Sequence, residues 1–202
     1  MPIIHTEADL GSLAEGIEEQ AKAVIGDINW QKRKEEINLY WQEIYDYWDK
    51  NNIAGLKIFQ DGMPVEDAAG ENIVKSLANN GSMNFKIIEQ LMRKGAKLMK
   101  TEDPELLKEE YFLTQELTKS GSVVSRLNAL SRYKARKDKL LKERDTYIAK
   151  RIDEGLKEGE TGVCFLGANH QIVSKLPKDI EVITPRDPEK VIKKSLKPSR
   201  GL

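Results

Sequence analysis

The chain has 202 residues, and 33 Lys and Arg balance 33 Asp and Glu to a formal net charge of zero. That length suits one domain, 1–202, with a substantial core. The balance excludes a protein whose overall task is to coat nucleic acid or another acidic surface, and no apolar run is long enough to cross a membrane.

In chain order, Pro2–Ile4 reads as a first strand, and the acidic residues Glu7 and Asp9 just after it argue against a secretory leader. Thr6–Val24 follows with Leu10, Leu13 and Ile17 on one helical stripe. Trp30–Trp48 is a second helix that holds all three tryptophans. Leu56–Phe59 is the second strand, and Ile73–Leu77 and Phe85–Met92 are shorter helices, the latter with Ser82 as N-cap. Ala96–Met99 is the third strand. Asp103 then caps a helix over Pro104–Leu117, with proline at its first position. Val123–Leu156 is one long helix or two. Gly162–Leu166 and Ile180–Ile183 complete the strands, and 193–202 is expected to fray. The single cysteine, Cys164, excludes an internal disulfide and fits a reducing, cytoplasmic setting. Inside an apolar run it reads as a small hydrophobe and not a nucleophile.

Strands alternating with helices predict a parallel sheet. The fold class is therefore α/β: a small, mostly parallel sheet of about four or five strands, dominated by helices, with a large helical insertion at about 103–157 between strands three and four.

Each strand runs straight into groups that ligate a metal or move a proton: "HTEAD", "FQDG", "KTED" and "GANH". In a parallel sheet all carboxyl ends lie on one edge, where open α/β proteins bind ligands. His5, Glu7, Asp61, Glu102, Asp103 and His170 are thus expected to converge. The same polar residues also suit simple helix N-caps, as Thr6, Asp61 and Asp103 all do. Both histidines of the chain follow strands. They are the expected metal ligands, and two imidazoles with carboxylates suit zinc, manganese, cobalt or iron. Glu7 and Glu102 are the expected catalytic carboxylates. Arg144 is expected to join them in catalysis, and Asp61, Arg144 and Asn169 are expected to contact substrate, with Arg144 anchoring an anionic group.

The stretch "RDTYIAKRIDEGLKEGETGVCFLGANH" resembles the C-terminal signature of the TraB/Tiki superfamily, which includes erythromycin-esterase-like and ChaN-like proteins. The matching residues are Arg144, Asp145, Gly167 and His170, with His5, Asp61 and Glu102 matching the family's earlier positions. The resemblance implies metal-dependent protease or esterase chemistry on a small-molecule or peptide substrate. Here "PIIH" lacks the family's glycine before the first histidine, and "QDG" replaces its glutamate after the second strand. The alternative is a non-catalytic protein that binds a small anion in the same pocket.

Two other surfaces bear on partners. Arg126–Arg151 holds ten basic and three acidic residues, a charged helix face that could also touch phosphates. The Trp30–Trp48 helix is a packing helix, with a homodimer interface or a pocket lid as its other readings. "GSMN" at 81–84 is either a capped turn or an anion site.

Overall fold

A computed structural model describes residues 2–4, 6, 9, 14–50, 53, 55–119 and 121–183. Among them the order is β1 (Pro2–Ile3), α1 (Ala14–Ile25), α2 (Asp27–Lys50), β2 (Lys57–Gln60), α3 (Asp67–Asn79) and α4 (Met83–Arg93). Then come β3 (Lys97–Met99), α5 (Pro104–Lys119), α6 (Val123–Gly155) and β4 (Gly162–Gly167). A short 3-10 turn covers Val173–Lys175.

The fold is α/β and helix-dominated, and every strand pair is parallel. Lys57–Phe59 pairs with Lys97–Met99 on one side of β2, and Lys57–Gln60 with Gly162–Phe165 on the other. The sheet proper therefore has three strands, fewer than the expected four or five. Pro2 and Ile3 add only a two-residue ladder along Leu166 and Gly167, giving the spatial order β1-β4-β2-β3. Ile180–Ile183 is not a strand. The turn from Pro177 to Ile180 tucks Ile180 against the core, while Val182 and Ile183 are exposed. The backbone of this segment joins none of the ladders that define a strand.

Side chains alternate across the sheet with the period of two that strands impose. Ile58, Leu98, Val163 and Phe165 face one way, into a core built with α2, α3 and α4. Phe59, Met99, Cys164 and Leu166 face the other way, against Ile148 and Ile152 of α6. Burying each of the larger side chains contributes about 1.5–3 kcal/mol. Burial also pushes the Cys164 thiol up to about 11, in keeping with an inert side chain.

The helices begin where local chemistry starts them. Asp103 Oδ1 accepts from Glu105 N at 2.8 Å, ahead of Pro104, so Asp103 is a cap and stays out of the site. Ser82 Oγ accepts from Phe85 N, as expected. A reciprocal Ser122–Ser125 capping box starts α6, which is one continuous helix of 33 residues. Trp41 of α2 is fully buried and donates from Nε1 to Ile4 O at 3.0 Å, which ties the end of β1 to the helix layer.

Candidate functional site

The ends of β2, β3 and β4 deliver Asp61, Glu102 and His170 to one edge of the sheet. Asp61 N donates to Phe165 O, which carries the β2–β4 pairing one residue past the strand. Thr101 N and Glu102 N both donate to Met63 O, and Thr101 Oγ1 accepts from Gln60 N, so the ends of β2 and β3 are sewn together. After β4, a turn from Gly167 to His170 reverses the chain and points the imidazole back. Gly167 is small of necessity: its N–H donates to Asp61 Oδ2 at 3.0 Å, and a Cβ there would stand 3.0 Å from that oxygen.

Helix α6 closes the site from one side with two adjacent buried residues. Arg144 donates from Nη2 to Asp61 Oδ1 (2.6 Å) and Glu102 Oε1 (2.5 Å), and from Nη1 to Glu110 Oε2 (2.5 Å). Its Nε lies 3.2 Å from Glu102 Oε1. Asp145 turns to the histidine: Oδ1 is 2.6 Å from His170 Nδ1, and Oδ2 accepts from Gln171 N. His170 is thus held between two carboxylates, with Nε2 3.3 Å from Asp61 Oδ2.

Burial and charge set the protonation of the cluster. Burial alone would raise the Asp61 carboxyl, but the hydrogen bond and charge of His170, then Arg144 and the Gly167 N–H, hold it well below the usual range. Glu102 is fully buried, and that burial pushes it up to about 7 against the pull of Arg144. Burial would lower His170, yet its bond to Asp61, with Asp145 behind it, outweighs this and moves it up to about 9. Burial also works against the charge of Arg144, and its bonds to Glu102 prevail, so it stays protonated.

Asp61, Glu102 and His170 each offer one ligand atom within 4.8 Å of the others, so the group could hold a metal ion. The donor chemistry fits. Asp145 fixes Nδ1 of His170, which leaves Nε2 as the ligating atom, the arrangement common for metal-bound histidines. A separation of 3.3 Å between Nε2 and Asp61 Oδ2 matches two neighbouring donors of one transition-metal ion at about 2.1 Å.

Beside the cluster lies a cavity of about 940 Å³ whose wall includes Asp61, Arg144, Asn169 and His170. Asn169 is exposed at its rim. Arg144 was expected to anchor an anion, but each of its three nitrogens faces a protein carboxylate. His5 and Glu7 lie outside the described residues. Their neighbours Ile4 and Thr6 line the cavity. Glu110 joins the cluster without any sequence signal beyond its place on an amphipathic helix. Asp145 had one, its position next to Arg144 in the Arg-Asp…Gly-x-x-His pattern. The tail 193–202 is likewise outside the described residues, and no helix among them is long and apolar enough to cross a membrane.

An open parallel sheet with an acid–imidazole–guanidinium cluster at its carboxyl edge defines the architecture. Comparison with family models, curated proteins and solved structures finds no match to this chain.

Proposed function

We propose that the chain is a metal-dependent hydrolase whose ion sits at the carboxyl edge of the sheet, held by His170 Nε2 and the Asp61 carboxylate. The observation that carries this reading is charge. Four carboxylates, Asp61, Glu102, Glu110 and Asp145, share two cations, Arg144 and His170. The cluster answers that excess by holding extra protons, at Glu102 up to about 7 and at His170 up to about 9. A divalent cation offers the same compensation, and a nitrogen–carboxylate donor set suits zinc, manganese, cobalt or iron. The likeness of Arg144, Asp145, Gly167 and His170 to the TraB/Tiki signature supports the same assignment. It also brings in His5 as a second imidazole, on sequence grounds.

When bound, such an ion would act as a Lewis acid toward a carbonyl or phosphoryl oxygen of a small-molecule or peptide substrate. The protein's own groups have separable tasks. Asp145 fixes the tautomer and direction of His170. Arg144 positions Asp61 and Glu102. Glu102, poised near neutrality, is suited to take and return a proton. The alternative, a pocket that binds a small anion without turnover, is less well supported, because the guanidinium is already committed to carboxylates.

Elemental analysis tests the proposal on protein purified without an affinity tag or chelator. The expected result is near one equivalent of a transition metal, lost in His170→Ala and in Asp61→Asn. Stoichiometric metal retained in both variants, or none in wild type after zinc, manganese, cobalt and iron are added back, would overturn it. Glu102→Gln separates two roles: metal loss marks a ligand, and retained metal with a changed pH–rate profile marks a proton-transfer group.

A further inference from the structure

The cavity beside the cluster has a second charged wall, built by α1 and α2. Trp30, Arg33, Lys34, Ile37 and Asn38 of α2 all line it. Their spacing of three and four residues places Trp30, Arg33, Lys34 and Ile37 along one face of the helix. The same face runs on to Trp41 and Ile44 in the core. Arg33 thus occupies a core-facing position, one turn before Ile37, and is half-buried there.

Every other charge on the cavity wall has partners. Glu18 of α1 accepts from Trp30 Nε1 at 3.1 Å and pairs with Lys22 at 2.7 Å and Lys34 at 3.5 Å. Lys34 Nζ also lies 5.8 Å from the centre of the Trp30 ring. Asp9 accepts from Thr6 N at 2.6 Å, from Thr6 Oγ1 at 2.8 Å and from Ser82 Oγ. Asp61, Glu110, Arg144 and His170 are bound to one another in the cluster. Arg33 differs: among the described residues it makes no hydrogen bond and no ion pair. A guanidinium has five N–H donors and no acceptor, set in a fork that fits a carboxylate or a phosphate. Holding it half out of water without a counter-charge costs stability that an anion would restore.

We propose that Arg33 receives the anionic end, a carboxylate or a phosphate, of a ligand whose apolar body lies against Ile17 and Ile37 on the same wall. A neutral head would leave this charge unpaired, and a cationic one would be repelled by it. Arg144 cannot take the part, because its nitrogens are committed to protein carboxylates. The inference names the substrate class for the hydrolase proposed above and rests on that reading for turnover alone; binding needs no ion.

The test uses protein freed of metal with EDTA and then of the chelator, so that no bound ion draws an anion. Calorimetry compares octanoate, octyl phosphate and octanamide, which share an apolar chain and differ in the head. At least one anion is expected to bind about tenfold more tightly than octanamide, the worth of one charge-assisted hydrogen bond. The tighter of the two identifies the head. In Arg33→Gln the preference should fall to near parity while octanamide keeps its affinity. Octanamide matching or exceeding both anions, or no binding by any of the three, overturns the inference. So does an undiminished preference in an Arg33→Gln protein whose circular dichroism is native, which would assign the anion to the cluster. A second measurement needs no variant. The preferred anion should slow modification of Arg33 by phenylglyoxal in wild type, read by mass spectrometry, and octanamide should not. An unchanged rate with the anion bound overturns the inference even if Arg33→Gln fails to fold. Because no metal is present, a negative result here is separate from a negative metal analysis.

Discussion

Arg144 concentrates the energetics of the site in one side chain, 4% exposed and bonded to three carboxylates. Removing one partner from a buried ion cluster strands the others, so Arg144→Met should destabilise the protein by about 3–5 kcal/mol in chemical denaturation. Glu102→Gln in the same chain removes one of the stranded charges and should recover part of that loss. Strictly additive losses would show that the two residues do not act as a unit. The pH dependence follows from the same charges, in protein freed of metal by chelation. Glu102 moves from 4.5 to about 7 and His170 from 6.5 to about 9, so the folded state binds the extra protons. Stability carried by His170 is full below 6.5 and lost as pH rises through about 9, and burial of Glu102 costs stability from 4.5 upward. Asp61 acts in the opposite sense, stabilising above 3.8 and failing as pH falls below it. The denaturation midpoint should therefore decline between about pH 5 and about pH 9, and His170→Asn should flatten the upper part of that decline. A midpoint constant across this range would contradict the assigned shifts. Asp61, Glu102 and His170 were legible in the sequence because each follows an apolar run, and strand ends share an edge. Glu110 was not, because its place in the cluster depends on which way a helix face turns.

At the scale of elements, the same periodicities placed the helices well. The limits of α5 and α6 follow from Asp103–Pro104 and Ser122, and the expected segment Ile73–Leu77 is the middle of α3. The error at Ile180–Ile183 has a physical origin: alternation records which face is buried, and a strand also needs a partner edge. Packing between elements is tight where α3 crosses β3. A Cβ on Gly70 would meet Leu98 Cδ2 at 2.9 Å and Val65 O at 3.1 Å. Alanine in a helix gains about 1 kcal/mol over glycine, but overpacking against a backbone oxygen costs about 1–3 kcal/mol. Gly70→Ala should therefore lower the unfolding midpoint. A raised midpoint would mean that α3 shifts freely over the sheet.

Across the whole molecule, stability is unevenly spread along α6. Its buried residues are Ala129 and then Leu140, Arg144, Asp145, Ile148, Ala149 and Ile152, while Val123, Val124 and Leu127 are exposed. Amide exchange should be markedly faster over 123–138 than over 140–152, and equal protection of both halves would refute this. Arginines that made this helix look basic are largely spent on acids nearby: Arg132 on Glu116, Arg136 on Glu109 and Glu143, Arg151 on Glu154. Binding to duplex DNA at low salt should accordingly be weak, without the steep salt dependence of a phosphate-tracking surface. The strand order has a further consequence, in time. The last of the described strands to be synthesised, β4, lies between β1 and β2. Asp61 must wait for Gly167, 106 residues downstream, to receive its backbone hydrogen bond. A growing chain can close its helices early, but β1 and β2 stay unjoined and the acids of the cluster lack their histidine until β4 and the turn after it have been made. Contacts this distant in sequence are slow to form, so the last step of folding should also be the step that creates the site.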